Sequence, residues 1–226
     1  MCWSAGADLV AGGTVSALGV LALTRVRRPR ELPLAALPLV LGVHQLVEAF
    51  VWWGEQGQLG AGSAALARTV WAVIAYPLLP TLVPLAVLLV AAPARRRTVL
   101  LFLAVGLVTS AVLVGAVAAG PVTAEMDGHT LRYGVGVPDS LLVGVGYLLA
   151  TVGALVASGQ RDIRTLGVAC GVGAMVCLTL WQTAFVSTWC ALAAVCSLLV
   201  LRWLARQRSD YPVRSVPPGG RAGSAF

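Results

Sequence analysis

The chain of 226 residues contains no lysine, and all 16 of its basic residues are arginine. A seven-helix protein that holds retinal as a Schiff base needs a lysine, so that covalent chemistry is excluded. Charge of either sign is scarce, at 11% of residues, where soluble domains carry about a quarter. With 58% hydrophobic residues and a mean hydropathy of +0.87, the chain is not an ordinary soluble domain. Histidine occurs twice, at His44 and His129. The five cysteines form no CxxC or zinc-finger spacing. Four of them, Cys170, Cys177, Cys190 and Cys196, fall in the late apolar stretches, where a buried thiol acts as a small hydrophobe. No basic residue precedes the first apolar run, as one would in a secretory signal peptide. The net charge of +7 does not point to nucleic acid, because the arginines are dispersed between apolar runs. Nothing in the pattern calls for a cofactor.

What is present is a series of apolar runs of about 20 residues, the length of a membrane-spanning helix. They predict an all-α integral membrane protein of seven transmembrane helices. Spans are expected at Ser4–Thr24, from Glu31 and Pro33 to Trp53, at Ala67–Ala92, Val99–Ala119 and Ser140–Ser158. Leu166–Leu204 would make about 58 Å of helix at 1.5 Å per residue, nearly twice the hydrocarbon thickness, so it holds two spans. Gln182, Thr183, Ser187 and Thr188 are the polar break between them. Pro77, Pro80 and Pro84 each remove a backbone donor from the third span and invite a kink. Between spans four and five, Asp127-Gly128 is flanked by alternating β-branched and aromatic residues, which predicts a small extracytoplasmic β-hairpin. Residues 1–204 then form the bundle. Residues 205–226, rich in Arg, Pro, Gly and Ser, are expected as a disordered cytoplasmic tail.

Arginine sets the direction. The clusters at 25–30, 95–97 and 161–164, with the arginines from Arg202 onward, place 14 of the 16 on one side; only Arg68 and Arg132 fall on the other. By the positive-inside rule the N-terminus is outside and the C-terminus inside. The lysine-free, Ala-, Gly-, Val- and Leu-rich composition is that of a GC-rich bacterial genome, so a multi-pass protein of a bacterial plasma membrane is expected. Membrane lipids are its first partners, and the inner arginines would touch anionic headgroups.

The stretch Leu37–Trp53 carries the chemistry. It is apolar enough to span, yet contains His44, Gln45 and Glu48. A carboxylate at mid-membrane costs roughly 2.5–3.5 kcal/mol on insertion scales, so it needs a reason to be there. His44 and Glu48 are one helical turn apart on one face, and Trp52 continues it. The expected direction puts these residues toward the outside, in the half that also holds Trp3, Ser4 and Asp8, Arg68, Trp71 and Tyr76, Tyr147, Gln182 and Trp189. The inner half has fewer polar groups. Three roles stay open for the His44–Glu48 pair: glue between helices, a ligand or proton-handling pocket, or a metal site, which would want a third protein ligand. Trp3, Trp52, Trp53, Trp71 and Trp189 form either an aromatic belt at the membrane boundary or a wall for an apolar ligand. Cys2 and Cys190 are a possible disulfide or a pair of reactive thiols on the oxidising side. A pocket binding a small molecule or lipid, in a sensor or transport-related protein, is the expected function. A membrane-embedded enzyme using His44 and Glu48 with a thiol, or a structural subunit of a larger complex, is the alternative. The ligand-binding set is His44, Gln45, Glu48, Trp52, Tyr76, Tyr147, Gln182 and Trp189.

The N-terminal MCWSA, HQLVEAFVWW in span 2, DGHTLRYGV in the hairpin and the late STWCALAAVCS resemble a family of bacterial multi-pass membrane proteins known as a domain of unknown function. The resemblance implies an integral membrane protein and brings no substrate, cofactor or catalytic residue. Membrane hydrolases of the ceramidase and adiponectin-receptor type also have seven spans, but hold zinc with several late histidines. This chain has no histidine after His129.

Overall fold

In a computed structural model of the protein, which describes residues 4–128, 130–137, 140–179 and 185–209, helices dominate and one two-stranded sheet interrupts them. Ser4 opens helix α1 (Ala5–Leu23): its hydroxyl accepts the Ala7 N–H at 3.2 Å, satisfying one of the donors that a helix start leaves unpaired. After a 3-10 turn at Pro29–Glu31, α2 runs over Leu32–Glu55. The Glu31 carboxylate holds this turn by accepting the Arg27 and Arg28 N–H groups. The buried residues of α1 are Ala5, Asp8, Gly12, Val15, Gly19 and Ala22, spaced alternately three and four apart. That is the seam of a helix pair. A Cβ added at Gly12 would lie 2.9 Å from the Gly42 carbonyl oxygen. One at Gly19 would overlap the Leu39 backbone, and one at Gly42 the Ser16 backbone. Bare glycines therefore let α1 and α2 touch along their backbones.

Helix α3 covers Ala61–Val90 and contains a π-helical segment at Ile74–Leu78. It begins earlier than the expected span because Ala61–Arg68 is rich in helix-forming alanine, and Arg68 there forms an ion pair with Glu55 at the end of α2. In the π register Pro80 supplies no N–H to the Ala75 carbonyl, and Tyr147 donates to it at 2.8 Å; Ser110 donates to the Pro77 oxygen at 2.7 Å. Helix α4 spans Arg96–Ala119. Strands β1 (Thr123–Asp127) and β2 (Thr130–Gly134) pair antiparallel, with Asp127 opposite Thr130. Gly128 between them has φ +60°, the left-handed conformation such a hairpin turn requires. Helix α5 runs through Ser140–Leu148, a second π segment at Leu149–Gly153, and Ala154–Ala157. Helix α6 is Arg161–Thr179 and α7 is Phe185–Ser209.

Among the described residues this makes seven helices and one hairpin. Four helical stretches, Ala5–Leu23, Pro29–Glu55, Ala61–Val90 and Pro93–Ala119, are long and apolar enough to cross a membrane, and Leu141–Ala157 is a shorter apolar helix. The helices suggest a membrane protein. The run from Leu166 to Leu204 is indeed divided between two helices, and Ser187 and Thr188 belong to the first turn of α7 instead of the connection. Helix α7 also continues past Leu204 to Ser209, because Arg206 pairs with Asp162 at 2.7 Å and Gln207 donates to Gln160 at 3.3 Å. Residues 210–226 of the expected tail lie outside the described residues.

The arginine clusters meet at one end of the bundle. Ala92 N–H donates to the Ser158 oxygen at 3.2 Å, and Gln160 donates to the Val90 oxygen. Trp203 donates to Gln160 at 2.8 Å. Arg25, Arg27, Arg28 and Glu31 line a hollow with Leu204 and Gln207. The Arg68–Glu55 pair and the hairpin occupy the opposite end, where Ala124, Leu131 and Val135 pack with Ala49, Trp52 and Trp71.

The glycine seam yields a prediction. Gly42→Val should destabilise the purified protein by about 1–3 kcal/mol or more, since overpacking forces backbones apart. Gly13→Ala, at a position facing open space, should leave the melting temperature in detergent unchanged or raise it slightly. Equal melting curves for the two variants would refute the close seam.

Candidate functional site

Helix α2 buries His44, Gln45, Glu48 and Trp52 on the side that packs into the bundle. The seam position of α1 at the same level is Asp8, which is fully buried at 0% exposure, and Glu48 is at 2%. The two carboxyl groups are close enough to interact, and Asp8 also feels the Trp52 indole. Two acids thus meet across this closely packed helix pair. They can do so because the glycines of that pair leave little room for bulk between the backbones.

Helix α3 and the hairpin close the layer. The Tyr133 hydroxyl of β2 donates to Glu48 Oε1 at 3.4 Å. Its ring stacks on Trp71 with centroids 3.5 Å apart and planes at 5°. Trp71 in turn lies 5.0 Å from the His44 ring and 6.1 Å from that of Tyr76. Burial, and after it the Glu48 and Asp8 carboxyl groups, push the Tyr133 phenol well above its ordinary pKa, so the phenol keeps its proton and remains a donor.

Several polar atoms in this layer are buried without a hydrogen-bond partner: both Asp8 carboxyl oxygens, His44 Nε2, both polar atoms of the Gln45 amide, and the indole nitrogens of Trp52 and Trp71. An unpaired buried polar group costs about 1–3 kcal/mol. Acceptors and donors are both represented, and the walls around them are aromatic. The arrangement has the chemistry to hold a small hydrogen-bonding group, and its two acids favour a cationic one.

Of the residues singled out from the sequence, His44, Gln45, Glu48 and Trp52 lie in this layer, with Tyr76 at its edge. Tyr147 lies one step away. Its hydroxyl is spent on the Ala75 oxygen, and its body lines an apolar cavity of about 150 Å³ with Leu37, Pro38 and Leu41 of α2. Cys2, His129 and Gln182 lie outside the described residues, as do the side chains of Trp189 and Cys190. The free thiols among the described residues are Cys170 and Cys196, whose sulfurs are 3.5 Å apart on the cavity wall. Among the described residues no group of three or more His, Cys, Asp or Glu side chains is placed to hold a metal ion. Three participants, Asp8, Trp71 and Tyr133, are not in the binding set read from the sequence; Trp71 stood there only as a belt or wall tryptophan. Asp8 was visible only as one polar residue in an apolar helix. Tyr133 had a signal in the two-residue alternation Leu131, Tyr133, Val135, which marks one face of β2.

The model of a family of unknown function, DUF6629, matches residues 1–215, and the chain belongs to that family. No curated protein and no solved structure matches it.

The orphaned Gln45 amide separates a ligand site from helix glue. If Gln45 is held for a ligand, Gln45→Leu should leave the melting temperature of the purified protein unchanged or raise it, because about 1–3 kcal/mol of unpaired amide is removed. A clear fall would assign it to helix packing.

Proposed function

We propose that this member of a family of unknown function is a seven-span protein of a bacterial plasma membrane. Its polar layer binds a small ligand, or the headgroup of a lipid, that carries a protonated amine, in a sensing or transport-related role. The observation that carries the reading is the set of buried polar atoms without a hydrogen-bond partner on His44, Gln45 and Trp71, beside the Asp8 and Glu48 acids. Helix glue is made of groups that satisfy each other. Groups left unpaired at such cost fit a site completed by something else. An ammonium would donate hydrogen bonds to the acids and lie beside the stacked rings of Trp71 and Tyr133, while the indole N–H groups and the Gln45 amide serve the remainder of the ligand. The enzyme reading gains no support from the described thiols, since Cys170 and Cys196 line the apolar cavity and not the polar layer.

The layer holds Trp52 and Trp71, so binding has its own reporter. Butylamine added to the protein in nanodiscs should change tryptophan fluorescence saturably. The double substitution Asp8→Asn with Glu48→Gln should weaken that response by about 10–100-fold, the loss of one to two charge-assisted hydrogen bonds. A response that does not saturate, or is the same in the double variant, would sink the proposal.

Orientation is tested separately. The arginine-rich end belongs in the cytoplasm under this reading, with the hairpin outside. A fluorescent protein fused to the C-terminus should fluoresce, and alkaline phosphatase inserted at Gly128 should be active. The reverse pattern would invert the topology and place the polar layer toward the cytoplasm.

A further inference from the structure

We infer that the apolar cavity takes the hydrocarbon chain of an amphiphile whose amine head lies in the polar layer, an inference that rests on the proposed function above. The two features share one wall. Along α2, Pro38 and Leu41 line the cavity, and Gln45 and Glu48 follow at steps of four and three on the same face. From Leu41 to Glu48 is about 10 Å of helix rise. A head at Glu48 therefore leaves its chain directed along the row that ends in the cavity.

A second line of contacts runs the same way. Tyr147 lines the cavity and donates to the Ala75 carbonyl. The next residue, Tyr76, meets Trp71 edge-on at 6.1 Å, and Trp71 belongs to the polar layer. Both connecting segments are π-helical, Ile74–Leu78 on α3 and Leu149–Gly153 on α5. Such widened turns recur at functional sites.

The cavity itself selects for hydrocarbon. The hydroxyls in its wall have spent their protons on backbone: Thr151 donates to the Tyr147 oxygen at 2.8 Å and Ser197 to the Ala193 oxygen at 2.7 Å. What remains facing inward is aliphatic carbon, the Tyr147 ring and the sulfur pair of Cys170 and Cys196. At about 150 Å³ it is the size of engineered apolar cavities that stay dry and take a benzene-sized body. It accommodates a segment of chain, and because it is partly open, the rest of the chain can leave through the mouth.

The test uses the full chain in nanodiscs of uncharged lipid and a long-chain primary alkylamine bearing a mid-chain diazirine. Photolysis and peptide mapping should place adducts on the α2, α5 and α7 walls of the cavity. Excess unlabelled alkylamine should compete them away. Ala193→Phe, which fills the cavity, should cut labelling about tenfold, and so should Asp8→Asn with Glu48→Gln. If Ala193→Phe fails to fold, Cys196→Leu serves the same purpose. Adducts scattered over the outer helix surfaces, unaffected by cavity filling, overturn the inference, while saturable butylamine binding would leave the polar site intact. Cavity adducts that form equally with the methyl ester of a diazirine fatty acid, and persist in the acid double variant, also overturn it, because the occupant then needs no amine.

Discussion

The contact between the backbones of α1 and α2 is the constraint on which the site depends. Gly12, Gly19 and Gly42 remove the side chains that would hold the two helices apart. Only at that separation does a seam position of α1 meet a face of α2 closely enough for Asp8 and Glu48 to interact. Burial keeps water from the two carboxyl groups, so their neighbours in the protein matter. The hairpin contributes Tyr133 and α3 contributes Trp71. The layer is thus an assembly of short reaches from rigid elements, with each aromatic ring fixed by the next.

Much of this arrangement is legible in the sequence, for identifiable reasons. The number of helices follows from run length against membrane thickness, and the hairpin from Asp127-Gly128. The shared arginine end follows from the distribution of guanidinium groups, and the polar face of α2 from helical periodicity. Other features are hidden for equally physical reasons. Helix α1 is apolar nearly all round, so periodicity does not say which side packs, and its three-four seam shows only once the neighbour is known. The docking of Tyr133 onto Trp71 joins residues far apart in the chain, which no local pattern records. Pro77, Pro80 and Pro84 announce distortion in α3, but not that it takes π-helical form or that Tyr147 would answer the freed carbonyl. The cavity is a gap between α2, α3, α5, α6 and α7, and gaps have no residues of their own.

The polar layer and the apolar cavity are governed by opposite accounting of hydrogen bonds. In the cavity every described hydroxyl is satisfied by backbone, which leaves a surface indifferent to anything but shape and hydrocarbon. A few ångströms along α2 the reverse holds, with donors and acceptors left over. One helix face passes from the first regime to the second between Leu41 and Gln45.

The arginine end has one more consequence. A guanidinium keeps its proton even where burial would strip one from an ammonium, and it is not a substrate for lysine acetylation. Every positive side chain that gathers around Asp162, Gln160 and the Pro29–Glu31 turn is of that kind. The positive charge of these side chains is therefore permanent: neither burial nor lysine-directed modification can discharge it.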